Sequence, residues 1–185
     1  MTCRGSGAVM VGVATAYALV ARPWHLQWSA TVDEARSSLP GDELIPDADL
    51  VATRAVTVRA SPDAVWPWIA QLRQGRGGFY SCDFLENLFG CDIHSVDHVV
   101  PALQNIQSGD ELRLAPTVPL EVAAVERGGA LVLRGAVPMG DAALRYDFSW
   151  AFVLTQRWTE PPGSSCASAT RTYSGGRGCS SNPSR

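Results

Sequence analysis

The C-terminal end of the chain is the feature that most limits what it can fold into. From Gln156 to Arg185 there is no Val, Ile, Leu, Met or Phe, whereas the preceding Tyr146–Leu154 alternates as a half-buried strand does. Ordering a backbone costs about 1–2 kcal/mol per residue, and a segment with so little apolar surface recovers little of this by burial. We therefore expect residues 156–185 to be a disordered, non-native-looking tail that interrupts a domain.

Residue usage suggests two origins for this tail. Every basic residue of the chain is Arg and none is Lys, which together with abundant Gly and Pro is typical of a GC-rich gene. A shifted reading frame in such a gene yields Arg, Gly, Ser, Pro and Cys codons, the residues that dominate the tail. A frameshift or other truncation therefore predicts that C-terminal structure has been lost, and a genuine disordered tail is the alternative.

Length and charge narrow the class of protein. A chain of 185 residues accommodates one domain and not two comfortable ones. The formal net charge is −3, and because four Arg and a single Glu lie in the tail, the rest of the chain is more acidic still. No basic stripe or nucleic-acid motif is present, so we expect no nucleic-acid partner.

The N-terminal segment, residues 1–24, predicts a membrane association. Gly7–Ala21 is uncharged and mostly apolar, shorter than the ~20 residues that span a bilayer but long enough for a signal-peptide core. An uncleaved anchor is the preferred interpretation, with a cleaved signal or a buried helix as alternatives. Arg4 and Arg22 flank the run and leave its orientation open. Residues 25–48, rich in Asp, Glu, Ser and Pro, are expected to be a linker.

Residues 49–155 have the pattern of an α+β domain. Leu50–Ala60 is rich in β-branched residues and predicts a strand, and Ser61-Pro62-Asp63 is a strong helix start, with a helix to about Leu72. A second short helix is predicted at Cys82–Phe89. Antiparallel strands are then predicted at Glu111–Ala115, Leu120–Val125, Ala130–Ala136 and Tyr146–Leu154, with turn residues between them.

The patterns that suggest metal or covalent chemistry are weak. His94 and His98 are four residues apart and would share one face of a helix, but no third ligand is evident, so surface histidines are the preferred interpretation. No serine lies in a nucleophile-elbow pattern. We therefore predict no metal site and no cofactor.

The last predicted strand permits two interpretations. Tyr146, Phe148, Trp150 and Phe152 recur at every second position and point to one side of a sheet. Such a face either packs on a helix or forms the wall of an apolar cavity, with polar tips from Tyr146 and Trp150 to orient a ligand. The sequence does not separate these two possibilities.

The stretch from Asp49 to Leu154 resembles the SRPBCC superfamily, the START-like group that includes polyketide cyclases/dehydrases and lipid-transfer proteins. The resemblance rests on Val56–Trp68 (VTVRASPDAVWPW), on Gly75–Ser81 (GRGGFYS) and on Leu85–Gly90 (LENLFG). The second and third blocks resemble an uncharacterised bacterial branch whose members often begin with an apolar segment. A bacterial, membrane-associated protein of the cell envelope is therefore expected, on an undetermined side of the membrane.

This resemblance implies a helix-grip fold, a curved antiparallel sheet wrapped around a long C-terminal helix with a hydrophobic cavity between them. It implies binding or carriage of a hydrophobic small molecule, lipid or polyketide-like. The chain departs from the family after Leu154, where the last strands and the long helix are missing, so impaired function and marginal stability are expected. The residues expected to line the cavity are Trp66, Ile69, Tyr80, Phe84, Leu88, Tyr146, Phe148, Trp150 and Phe152.

Two alternatives remain open. A minority of the family are enzymes, and a cyclase or dehydratase would use polar groups such as Tyr80, Asp83, His94 or Tyr146 as acid or base. No pair among them can be placed within hydrogen-bonding distance from the sequence, so we favour a binding protein over an enzyme. A non-functional pseudogene product is the other alternative, and the tail supports it.

Overall fold

The fold was taken from a computed structural model of the chain. It describes residues 15, 17–74, 77–80, 83–88, 90, 92–115, 118–138, 145–159 and 164–177. Most of the predicted membrane segment, residues 1–14 and 16, lies outside these residues. Within the described part, no helix has the length and apolar character needed to span a bilayer.

The described chain contains short helices and six strands, the last five of which follow one another. The helices are a π-helical turn at Tyr17–Ala21, α1 (Arg22–Leu26), α2 (Val32–Arg36), α3 (Pro62–Ala70) and α4 (Asp83–Leu88), with 3₁₀ turns at Asp42–Leu44 and Pro101–Leu103. The strands are β1 (Leu50–Val58), β2 (Glu111–Ala115), β3 (Val118–Glu126), β4 (Ala130–Pro138), β5 (Arg145–Thr159) and β6 (Ser164–Arg177). The prediction of an α+β fold with an antiparallel sheet and short helices is confirmed at this level.

All six strands form one antiparallel sheet in the order β1-β6-β5-β4-β3-β2. β6 therefore lies between the first strand and β5, pairing with Leu50–Val58 on one side and with residues 146–159 of β5 on the other. The predicted disorder of the tail is wrong for residues 164–177, and β5 itself continues to Thr159. A strand in this position pairs its backbone N–H and C=O groups with two neighbouring strands. This pairing does not depend on how many apolar side chains the segment carries, so a count of apolar residues did not predict it.

The helix start after β1 is built as predicted. The Ser61 side chain accepts a hydrogen bond from the Ala64 backbone N–H at 3.3 Å, and Pro62 occupies the first helical position, where no N–H is needed. The spacing of Trp66, Ile69 and Ala70 places these three on one face of α3, and all three are buried. α3 contacts β5 and β6, and its buried face shares a core with Phe148, Trp150 and Leu154 of β5.

We call the sheet face that packs with α3 the inner face. The core on this face joins α3 to four strands through buried apolar side chains. Its buried members are Trp66, Ile69, Ala70, Leu72, Leu112, Leu120, Val122, Leu131, Leu133, Phe148, Trp150 and Leu154.

The opposite, outer face carries a second core. Here Val132, Ala151 and Val153 are buried, and Leu39 and Leu44 pack against this cluster. The expectation of a plain linker at residues 25–48 is therefore wrong, because this segment covers part of the sheet. It also contains α2, which Thr31 and Glu34 begin with a reciprocal capping box.

One glycine sets how closely this segment approaches the sheet. Gly41 has φ +98°, and a Cβ built on it would lie 2.6 Å from Cγ1 of Val132, which is fully buried. Gly109 has a similar φ of +90° with nothing within 4 Å of its Cβ position. Both glycines therefore have a positive φ that disfavours other residues, but only Gly41 is packed closely against another side chain.

We expect Gly41→Ala to destabilise the protein more than Gly109→Ala does. Both substitutions force a Cβ into the left-handed region, at about 1–2 kcal/mol. Only Gly41→Ala adds overpacking against Val132, which typically costs about 1–3 kcal/mol more. Urea denaturation of both variants measures the difference, and equal losses would show that residues 39–44 do not pack on the sheet as described.

Candidate functional site

The structure brings together most of the residues predicted to line a cavity. Trp66, Ile69, Phe148 and Trp150 are buried in the inner-face core, and Tyr146 and Phe152 are half-buried against it. The alternation in Tyr146–Leu154 therefore identified one sheet face correctly. Helix α3 packs against part of this face, and Tyr146 and Phe152 stay partly exposed beside it.

The other three predicted lining residues lie elsewhere. Phe84 is 77% exposed and Leu88 70% exposed on α4, and Tyr80 is also exposed. These three therefore lie outside the inner-face core. Their helical spacing showed that Phe84 and Leu88 share a face, but spacing does not show whether another element covers that face.

Phe79 is a member of the aromatic group that the sequence analysis missed. Its ring stacks on Trp150 with 6.1 Å between ring centroids, and Trp150 lies 4.7 Å from the ring of Phe152. The preceding Gly78 has φ +75°, and a Cβ there would lie 2.6 Å from Cα of Ser95. Gly78 was the available sequence signal for this turn, because glycine permits both the positive φ and the close approach to Ser95 that place Phe79 against the core.

Two hollows formed by described residues lie away from the aromatic group. A hollow of about 410 Å³ on the outer face is lined by Glu111, Glu121, Arg134 and Asp147, among others. A second, of about 370 Å³, lies between β1 and the covering segment, beside Arg36, Val51 and Thr53. Neither hollow has the apolar, aromatic lining that the resemblance predicted.

Helix α3 contributes a buried polar atom to the inner face. The Trp66 indole Nε1 is buried, and no hydrogen-bond acceptor for it occurs among the described residues. The residue as a whole is 5% exposed. Buried N–H groups are nearly always paired in folded proteins, because an unpaired one loses its hydration without compensation.

A polar network centred on Gln71 fixes the long connection between α3 and β2. Gln71 is 1% exposed. Its side chain donates to the His98 carbonyl at 3.1 Å and to the Tyr80 hydroxyl, and it accepts from the Val100 N–H at 3.0 Å. Gln104 adds a contact at 3.3 Å. In the sequence, Gln71 is only a polar residue at the end of an apolar helix pattern, and this pattern did not predict that its side chain would bind the connection.

Asp83 anchors the same connection from α4. Its carboxylate accepts from the Ser95 backbone N–H at 2.6 Å and from the Ser95 hydroxyl at 2.7 Å. These two bonds, in that order of importance, hold the pKa of Asp83 below its ordinary value, with a smaller contribution from His94. A carboxylate that stays ionised and already accepts two hydrogen bonds is poorly suited to act as a general acid.

The lowered pKa of Asp83 predicts a pH dependence confined to acid. Because the folded pKa lies below the unfolded value of about 3.9, the stabilisation is complete above that value and is lost as the pH falls through the folded pKa. We expect the Ser95 amide resonance to be constant near neutrality and to shift only below about pH 4. In Asp83→Asn the shift should be absent, and an unchanged titration in that variant would assign it to another group.

The histidines of the connection do not share a helix face. Residues 92–98 are irregular, so the helical spacing on which the metal alternative rested is wrong. His94 Nε2 lies 3.3 Å from an Asp92 carboxylate oxygen, and His98 Nδ1 lies 2.9 Å from one of Asp97, all well exposed. In the described part of the chain, no group of three or more His, Cys, Asp or Glu is arranged to hold a metal ion.

The polar candidates for an enzyme are divided between two places. Tyr80 and Asp83 are both bound to Ser95, and Tyr80 also bonds Gln71, so these groups hold the connection between α3 and β2. Tyr146 instead packs against the inner-face core. This arrangement gives no acid–base pair that joins Tyr146 to the others.

Comparison with known proteins assigns the chain to no family. No family model and no curated protein matches it. The resemblance to START-like proteins therefore rests on the quoted sequence blocks.

Proposed function

We propose that the chain binds or carries a hydrophobic small molecule, lipid or polyketide-like, against the inner face of the sheet. The observation that carries the proposal is the aromatic group formed by Phe79, Phe148, Trp150 and Phe152 beside α3. Aromatic side chains offer large, rigid apolar surfaces, and such walls are typical of sites for apolar ligands.

The order of the elements supports a helix-grip arrangement for this site. Two short helices follow β1, and the first strand pairs with β6, the last strand of the described chain, in a single antiparallel sheet. In the proposed arrangement α3 is the helix that lies across the inner face. A ligand enters beside α3, where the half-buried Tyr146 and Phe152 border the buried aromatic rings.

Ligand binding can be tested on the full chain with the neutral dye N-phenyl-1-naphthylamine and by native mass spectrometry of the purified protein. We expect dye fluorescence to rise on binding and a co-purifying apolar molecule to displace it. Phe152→Ala removes a half-buried ring of the proposed site and should weaken dye binding, whereas Phe84→Ser on exposed α4 should not.

Two results would contradict the proposal. Absence of both dye binding and a bound apolar molecule would show that the inner face is a packed core only. Loss of dye binding in Phe84→Ser with full binding in Phe152→Ala would place the apolar site on α4 instead.

We propose in addition that the N-terminal segment holds the protein at a membrane of the cell envelope. Trp24 and Trp28 are mostly exposed, with 6.3 Å between their ring centroids, and Tyr17 and Leu19 are exposed before them. Tryptophan is favoured at the boundary between lipid and water.

Flotation of the full chain with phosphatidylcholine vesicles tests this location. The wild type should float with the vesicles, and the double substitution Trp24→Ser and Trp28→Ser should reduce the floated fraction. A wild-type protein that stays in the aqueous fraction would refute membrane attachment by this segment.

A further inference from the structure

The unpaired indole of Trp66 gives the proposed ligand site a chemical preference. Leaving a buried donor without an acceptor costs about 1–3 kcal/mol, so such groups seldom persist without a role. Trp66 lies in the part of the chain whose helix start is fixed by the Ser61 cap, and its side chain belongs to the inner-face core. The donor is therefore held in place before any ligand arrives.

The surroundings of Trp66 decide which acceptor suits it. The core that contains it is made of aliphatic and aromatic side chains, including Phe148 and Trp150. A carboxylate or phosphate brought into such surroundings loses its hydration, at a cost that one neutral N–H donor does not offset. A ketone, ester or ether oxygen loses much less and still accepts the hydrogen bond.

We infer that Trp66 is a specificity-determining residue that donates its indole N–H to a neutral oxygen acceptor on a hydrophobic ligand. The inference rests on the proposed function and adds the class of ligand: an uncharged apolar molecule with a carbonyl or ether oxygen. Such a molecule covers the aromatic surface with its hydrocarbon part and satisfies the buried Trp66 donor, for which the described residues supply no acceptor.

Trp68, two residues further along α3, supplies a matched control. Its ring packs edge-on against Tyr80, with 5.4 Å between ring centroids, and it is only half-buried. Trp→Phe at either position removes one indole N–H and the same number of atoms. Only the change at Trp66 removes the buried, unpaired donor.

Binding of three probes of equal chain length tests the inference on the full protein. The probes are methyl nonyl ketone, n-undecane and undecanoate, each measured by displacement of the neutral dye. A ligand hydrogen bond of about 1.4 kcal/mol corresponds to tenfold in affinity, so the wild type should bind the ketone on the order of tenfold more tightly than the alkane. Undecanoate should bind more weakly than the ketone. The preference for ketone over alkane should vanish in Trp66→Phe and persist in Trp68→Phe.

The outcomes separate this inference from the proposed function. Equal binding of ketone and alkane by the wild type, or a preference that survives in Trp66→Phe, overturns the role of Trp66 while leaving apolar binding intact. Tighter binding of undecanoate overturns the choice of a neutral acceptor. Binding of none of the three overturns the proposed function together with the inference.

A measurement on the wild type keeps the test valid if Trp66→Phe does not fold. In a ¹⁵N-labelled sample, the Trp66 indole N–H resonance should shift downfield with methyl nonyl ketone and remain nearly unchanged with n-undecane. Identical shifts with both probes would show that the indole responds to packing alone, which overturns the inference.

Discussion

Trp150→Ala is expected to lower the free energy of unfolding by about 3–5 kcal/mol, the usual range for removing a large aromatic side chain from a core. Trp150 is 5% exposed, belongs to the inner-face core and contacts the rings of Phe79 and Phe152. Removing the Trp150 ring removes both ring contacts and leaves a cavity. The surrounding β5 and α3 can close this cavity only in part. Domains of this size are stable by about 5–15 kcal/mol, so a large share of the total is affected.

Chemical denaturation followed by circular dichroism measures this loss. Trp28→Ala is the matched control, because Trp28 is 59% exposed and its removal should change the free energy of unfolding by less than about 1 kcal/mol. Phe84→Ala should behave like the control for the same reason. A loss at Trp150 no greater than the loss at Trp28 would show that the inner-face core does not hold the sheet and α3 together.

Gln71→Leu is expected to lower the free energy of unfolding by about 2–5 kcal/mol. The cause is the backbone groups that lose their hydrogen bonds to the Gln71 side chain. The leucine fills a similar volume but leaves the Val100 N–H and the His98 carbonyl without the partners that Gln71 provides. A backbone group that loses its partner costs about 1–3 kcal/mol when it is shielded from water, and these two bonds are partly buried. Most of this effect should fall on the connection between α3 and β2, because Tyr80 and Gln104 also bond to Gln71.

Hydrogen exchange gives a local measurement of this effect. In Gln71→Leu the Val100 amide should exchange much faster than in the wild type, whereas the Leu131 amide in β4 should change only with global stability. Gln107→Leu, at an exposed position, is the control and should leave both amides unchanged. Unaltered protection of Val100 in Gln71→Leu would mean that the connection is ordered by other contacts.

Short-range patterns predicted the elements near the site well. Ser61-Pro62 determines the start of α3 by local hydrogen bonding, and the alternation of Tyr146–Leu154 determines which of its side chains share a face. Both properties depend on residues a few positions apart, which a sequence displays directly.

Features that depend on distant parts of the chain were not predicted. The exposure of Phe84 depends on whether another element covers α4, and the role of Gln71 depends on backbone groups 27 and 29 residues away. β6 is ordered by pairing with β1 and β5, and its composition alone indicated disorder. The aromatic residues of the inner face were found, but the packing of α3 against them was one of two arrangements that the sequence allowed.

The position of β6 in the sheet has a consequence for how the protein is made. β1 is synthesised early, but its sheet neighbour is the last described strand, more than a hundred residues later. Until β6 leaves the ribosome, the backbone edges of β1 and β5 that it will join stay open, and such edges can pair with other chains. Pairing over so large a sequence separation is also slow. Completion of the sheet is therefore a late event. In it β6, the least hydrophobic strand, pairs with β1 and β5, which were synthesised before it.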